Sequence, residues 1–197
     1  MHTRRYHHGD LRAALLTGAE QTLREKGPGA LSLRELARDL GVSHAAPSRH
    51  FKDKQALLDA LALAGFERLD ATLAASRDAA GEAFTDRLRG LVRAYVDFAL
   101  ANAELLDLMY TVKHDPAASE ALIAAGQRLG AMAGELVAEG QRSGEVREGP
   151  VDSIAMPVFT TLHGFASFAV SGVLSAEEVA SGLDAVFAYI LRGCAPS

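Results

Sequence analysis

Cysteine, tryptophan and strand signals are scarce in this 197-residue chain. It holds one cysteine and no tryptophan, and aromatic residues make up only 6%. One cysteine excludes a disulfide framework and any multi-cysteine zinc site. Met1–Tyr6 is charged and leads into no apolar core with a small-residue cleavage site. No secretory leader is therefore expected, and the reducing cytoplasm is the default setting. The motifs GxxxxGK(S/T), HExxH and GxSxG are missing, as is a GxGxxG preceded by a strand. The commonest enzyme signatures are thus absent, and no catalytic, metal or cofactor site is expected.

What the chain does have is apolar content and helical period. At 49% hydrophobic and 23% charged it can bury a core, so general disorder is excluded. Apolar residues recur at three- and four-residue steps almost throughout, with no sustained period-2 alternation and no Asn-Gly or Asp-Gly turn. The pattern predicts an all-α chain of about nine helices, near 10–26, 33–40, 44–51, 54–79, 84–101, 103–113, 118–143, 152–173 and 176–192. Gly27-Pro28-Gly29, Gly41, Asp115-Pro116 and Gly144 punctuate them.

Charge is unevenly placed. Residues 1–54 hold ten Lys/Arg against six Asp/Glu, a net +4, whereas the remainder is −9 within a total of −5. Five of the seven histidines also lie in the first stretch. A basic quarter on an acidic body suggests a nucleic-acid-facing segment carried by a protein-facing one.

The sharpest segment is residues 31–58, LSLRELARDLGVSHAAPSRHFKDKQALL. Ser32 with Glu35 three residues on has the form of a capping box. Leu33, Leu36, Ala37 and Leu40 form a buried stripe, and Gly41 supplies a left-handed residue to turn the chain. Ser43 is placed to cap a second short helix ending near Phe51. Two short helices joined by a Gly-containing turn make a helix-turn-helix, whose second helix enters the major groove. His44, Ala45, Ala46 and Ser48 are small or polar enough to meet base edges. Arg49, His50, Lys52 and Lys54 follow where phosphates would run. The basic leader with Arg4 and Arg5 has the character of an arm that reaches the adjacent minor groove.

These residues resemble the DNA-binding domain of the TetR (tetracycline-repressor-like) family of bacterial transcriptional regulators. The match runs from Leu33–Leu40 through Gly41-Val42-Ser43, His50-Phe51 and Lys52-Asp53-Lys54 to Leu57-Leu58, and the leader YHHGDLRAALL (6–16) is similar to one branch. The resemblance implies that Ser43, His44, Ala45, Ala46, Ser48, Arg49 and His50 face DNA. It also implies that Ser32, Arg34 and Lys54 meet backbone phosphate. Position 48 is a departure: the family usually carries Tyr there as a phosphate contact, and this chain has Ser.

Two domains follow, a helix-turn-helix domain over 1–56 and a helical effector-binding and dimerisation domain over 57–197. Within the second, 153–176 is twenty-four residues without a formal charge. Its length permits a membrane span. Scattered Ser, Thr and Gly, Pro157, and the acidic flanks Asp152, Glu177 and Glu178 argue instead for a buried helix. A helix apolar all round is covered on both faces, and the stripe Ile154, Val158, Leu162, Phe165, Ala169 and Val173 is expected to pack on its own bundle. The natural cover of the other face is a second copy of the chain, with the last helix completing a four-helix interface through Thr161, Ala166, Val170, Leu183 and Phe187. Homodimers read palindromes, which fits the DNA reading.

Phe159 and His163-Gly164 resemble the Trp-x-x-x-His-Gly signature of one regulatory-domain branch, with Phe in place of Trp. The family resemblance implies a pocket for a small, largely apolar effector, drawn here to Phe98, Met109, Tyr110, Met132, Phe159 and His163. His163 either lines that pocket or is a hydrogen-bonded interior histidine. Gly126, Gly130 and Gly134 share a helical face, which marks either a close helix crossing or a cavity, because each glycine costs about 1 kcal/mol against Ala. The expected function is a ligand-responsive regulator, most often a repressor in this family. It binds double-stranded operator DNA as a homodimer and is released by a small effector. The rival is an all-α small-molecule carrier or enzyme that keeps the hairpin only as scaffold.

Overall fold

The computed structural model describes residues 11–196. Among them are eight α-helices and two 3-10 turns, with no strand. The helices are α1 (Leu11–Lys26), α2 (Leu33–Asp39), α3 (Lys54–Ala79), α4 (Phe84–Ala101), α5 (Ala103–Val112), α6 (Glu120–Ser143), α7 (Val151–Val170) and α8 (Ala176–Cys194). The all-α expectation holds, with one local difference. The helix expected over 44–51 is a turn followed by a 3-10 helix at Pro47–Arg49. Pro47 has no N–H to give the Ser43 carbonyl. That carbonyl accepts the Ala46 N–H instead, at 2.9 Å, and the coil tightens to the 3-10 pitch.

Helix ends follow local chemistry. α2 closes with Gly41 at φ 68°, with Val42 N–H donating to Ala37 O (3.0 Å) and Gly41 N–H to Arg38 O (3.1 Å). This is the Schellman arrangement, and it requires the left-handed residue that glycine supplies. Ser32 caps the other end of α2 through its Oγ, which accepts from Glu35 N–H at 3.5 Å. The full capping box stands elsewhere, at the start of α8. There Ser175 Oγ accepts from Glu178 N–H (3.2 Å) and the Glu178 carboxylate accepts from Ser175 N–H (2.8 Å).

The chain forms two compact units. The first comprises the residues up to Gly65 together with Glu104–Leu122. The 1–56 limit expected from sequence falls inside α3, two residues beyond its start. Leu15, Ala19, Leu23, Leu36, Ala37, Phe51, Leu57 and Leu61 are buried in this unit. Gly65 lies so close to Met109 that a Cβ there would sit 2.6 Å from the thioether sulfur. Asp59 on α3 accepts both the backbone N–H and the hydroxyl of Ser119 at 2.7 Å, and Ser119 Oγ in turn accepts from Leu122 N–H. A carboxylate thereby ties down the entry to α6.

The second unit comprises Phe66–Ala103 and Ile123–Ser197, of which 197 lies outside the described residues. α4 turns Phe84, Leu88, Val92, Tyr95, Val96 and Ala99 inward at helical spacing, and it packs on α7 and α8, which pack on each other. α7 buries Ile154, Ala155, Val158, Leu162, Ala166 and Ala169. By length and composition alone it is the one helix among the described residues that could cross a membrane. The expected inner stripe is met at Ile154, Val158, Leu162 and Ala169, whereas Val173 lies past the helix end and is 65% exposed. The glycine face of α6 is no close crossing at Gly130, where an added Cβ would meet nothing within 4 Å, and Gly134 meets Val151 at an ordinary 3.5 Å. The tight site on α6 is Gly140, pressed against Val146 and Phe84.

Candidate nucleic-acid interface and ligand cleft

The segment between α2 and α3 is held from beneath and open above. Pro47 and Phe51 are buried and Val42 and Ala46 half-buried, while Ser43, His44, Ala45, Ser48, Arg49 and His50 are exposed. Apolar anchors therefore fix the backbone, and the polar and cationic side chains stand outward together. Arg12 of α1 lies over the Phe51 ring at 5.5 Å and adds cover from the side. Asp53 caps α3 by accepting from Ala56 N–H at 2.8 Å. Ser43 makes no side-chain cap, because no α-helix begins after it.

The other expected DNA-facing residues are placed as follows. Arg34 is exposed on the first turn of α2, beside the half-buried cap Ser32. Lys54 is exposed but donates to Gly29 O at 3.2 Å, so it also pins the α1–α2 loop to the start of α3. Arg38 is occupied by Asp39 (3.3 Å) and Glu35 (3.7 Å) on its own helix. Arg4 and Arg5 lie outside the described residues.

A narrow apolar cleft lies inside the second unit. Leu73 of α3, Leu91 and Tyr95 of α4, Leu129, Met132 and Ala133 of α6, and Val158, Phe159 and Leu162 of α7 line a free volume of about 20 Å³. Tyr95 is its polar lining group. The Tyr95 hydroxyl lies 2.7 Å from His163 Nδ1, and Phe159 stacks on the His163 ring with centroids 5.6 Å apart. His163 is therefore hydrogen-bonded within the bundle.

Of the six residues expected around a pocket, Met132 and Phe159 line the cleft and His163 backs it. Phe98 is buried beneath the Arg68 guanidinium, 5.7 Å from the ring centroid. Met109 packs against Gly65 in the first unit, and Tyr110 lies beneath the Lys113 ammonium at 4.4 Å. Partial burial of Lys113 lowers its pKa. Leu73, Leu91, Leu129 and Ala133 went unrecognised, because at helical spacing a pocket wall and a core stripe have the same pattern.

The expected interface residues also divide. Thr161, Val170 and Leu183 are half-buried. Ala166 and Phe187 turn into the bundle, at 0% and 5% exposure, and Arg89 sits over the Phe187 ring at 4.0 Å. The large apolar residues on the outside of this hairpin are Met156 (65%), Phe168 (57%) and Tyr189 (64%). The buried face of α7 is wider than its expected inner stripe and takes in Ala166 as well.

Comparison with known proteins gives a consistent outcome. Residues 88–193 match the family described as "Tetracyclin repressor-like, C-terminal domain", and residues 15–61 match "Bacterial regulatory proteins, tetR family". Among solved structures, a protein of unknown function from Rhodococcus sp. RHA1 is 45% identical, with a TM-score of 0.91, covering 98% of this chain and 99% of that one. The TetR family transcriptional regulator PfmR from Thermus thermophilus is 27% identical with a TM-score of 0.70, over 91% and 97% of the two chains. A bacterial regulatory protein in the tetR family from Rhodococcus RHA1 shares the fold at 20% identity and a TM-score of 0.73, over 94% and 97%. No protein of curated function matches the sequence.

Proposed function

The chain belongs to the TetR family of DNA-binding, non-enzymatic bacterial transcriptional regulators, and from that premise we propose that it is a cytoplasmic homodimeric repressor released from a palindromic operator by a small apolar effector. The observation that carries this reading is the outward-facing set Ser43, His44, Ala45, Ser48, Arg49 and His50 on a backbone anchored by buried Pro47 and Phe51. Short side chains allow the backbone to approach base edges, and Arg49 is a long, permanently charged donor for phosphate or guanine. Ser32, Arg34 and Lys54 flank the set as phosphate contacts, and Arg4 and Arg5 extend it toward the minor groove. Residues 1–56 act as the DNA-binding domain and 57–197 as the effector and dimer domain.

The apolar cleft takes the effector. Its walls call for an apolar body, with the one hydroxyl in its lining, that of Tyr95, hydrogen-bonded to His163. With about 20 Å³ free, a ligand enters by pushing the walls apart. One wall residue, Leu73, belongs to α3, the helix that begins at Lys54 beside the DNA-facing turn. A ligand that displaces Leu73 therefore acts on the helix that supports the DNA contacts. It need only prefer the released state: a hundredfold preference is about 2.7 kcal/mol.

The test is selection from a random DNA pool followed by salt titration of the best binder. The expected product is a palindrome with a log–log salt slope of roughly −5 to −9, from about six to ten phosphates. Failure of correctly folded protein to enrich any sequence, with and without added apolar ligands, would overturn the proposal.

A further inference from the structure

Arginines in the first unit differ in what holds them. Arg24 of α1 lies 3.5 Å from Glu20, and Arg38 of α2 is shared between Asp39 and Glu35. Carboxylates offset both charges where they stand. Arg12, in the first turn of α1, has no carboxylate partner among the described residues, and that turn holds no acidic side chain.

Its position on α1 explains what it does instead. Leu15, Ala19 and Leu23 are the buried stripe of this helix. Arg12 stands three residues ahead of Leu15, so it heads the same stripe while remaining exposed. A long cationic side chain at such a place lays its stem on apolar surface and keeps its charged head in water. The apolar surface is Phe51, 2% exposed, with the Arg12 guanidinium 5.5 Å from the ring centroid. The Phe51 N–H donates to Pro47 O at 2.9 Å, so this ring hangs from the turn that holds Ser48, Arg49 and His50 outward. Lys52 follows it and is exposed as well. A cation from a different helix thus stands beside the outward set. The ring face attracts a guanidinium and restrains it, while the N–H groups at its edge remain for an anion. A cation placed in advance loses less freedom when it binds.

Resting on the operator-binding reading above, we propose that Arg12 is a further phosphate contact, seated on Phe51 and directed at the DNA strand that passes beside the Ser48–His50 turn. The contact brings α1 into the interface and carries no base preference, because phosphate is the same at every step.

Salt titration on the selected operator and on an unrelated duplex separates charge from cover. Arg12→Leu keeps an apolar stem over the ring and removes the cation. It is expected to move the thermal midpoint by less than about 4 °C. The salt slope is expected to fall by about 0.9 for each protomer bound, with equal weakening on both duplexes. Arg12→Lys is expected to retain the slope. In the wild-type chain, phenylglyoxal modification of Arg12, read by mass spectrometry, is expected to slow when operator is bound, while the exposed Arg142 of the second unit reacts as before. An unaltered slope in Arg12→Leu, or an Arg12 modified equally fast with and without DNA, would overturn the contact and leave Arg12 as cover for Phe51. Folded wild-type protein that binds neither duplex at low salt would overturn both the contact and the DNA reading it rests on.

Discussion

At the residue scale, the turn between α2 and α3 separates buried anchors from outward side chains. Pro47 and Phe51 hold the backbone from inside, while Arg49 stands free of the packing. Arg49→Ala is therefore expected to leave the circular dichroism spectrum and thermal midpoint unchanged and to lower operator affinity. A phosphate role would reduce the salt slope by about one; a base role would relax specificity at one position, at about 1–3 kcal/mol. Ser48→Tyr is the complementary change. Position 48 is exposed, so the ring is accommodated without repacking, and the expected gain is a neutral hydrogen bond to phosphate, seen as tighter binding at an unchanged salt slope. That these side chains stand outward was legible in the sequence, because polar and charged groups keep to water unless paired. The second bond of Lys54, to Gly29 O, was not, because its partner is twenty-five residues away.

At the element scale, helix ends were easier to read than helix faces. Gly41 marked the end of α2, and its φ of 68° explains why. Gly41→Ala is expected to destabilise the chain by about 1–2 kcal/mol, the cost of a Cβ in the left-handed region, measured by denaturant unfolding. The Ser175–Glu178 capping box starts α8, and Ser175→Ala is expected to cost about 1 kcal/mol, or about 2–4 °C in thermal midpoint for a chain of this size. Ser175 also holds the Glu178 carboxyl below the usual glutamate range, through its backbone N–H first and its hydroxyl second. A depressed pKa favours the ionised folded form, so this contribution is complete above the ordinary glutamate pKa and fades as pH falls through the depressed value. Thermal melts of wild type and Glu178→Gln are expected to differ at neutral pH and to converge in acid. The expected helix at 44–51 shows where local reading stopped: a single missing N–H at Pro47 turned an α-helical period into a 3-10 turn.

At the scale of the molecule, function depends on what each unit buries and what it leaves open. The apolar cleft draws its walls from four helices that are remote in sequence. Met132→Trp adds more volume than the cleft holds free, so its walls must part as for a bound ligand, and the expected result is weakened operator binding with no further response to effector, as read by DNA binding with and without ligand. Cys194 lies at the far end of α8, 1% exposed, and burial raises its thiol pKa despite the nearby Arg147. The reactive thiolate is suppressed, so labelling by a thiol reagent is expected to be slow in the folded chain and rapid in denaturant.

The sequence by itself determined the helical class, the positions of nearly all the helices and the basic character of the first quarter. Each of these rests on near neighbours, through a 3.6-residue period, a capping residue, a glycine turn or a local excess of charge. Tertiary structure alone decided that Ala166 and Phe187 turn inward, which of Phe98, Met109, Tyr110, Met132, Phe159 and His163 share a cleft, and which arginines are already engaged. Those outcomes depend on contacts between distant segments. A buried stripe, a pocket wall and an interface are written with the same apolar residues at the same spacing, and only the packing of one helix against another tells them apart.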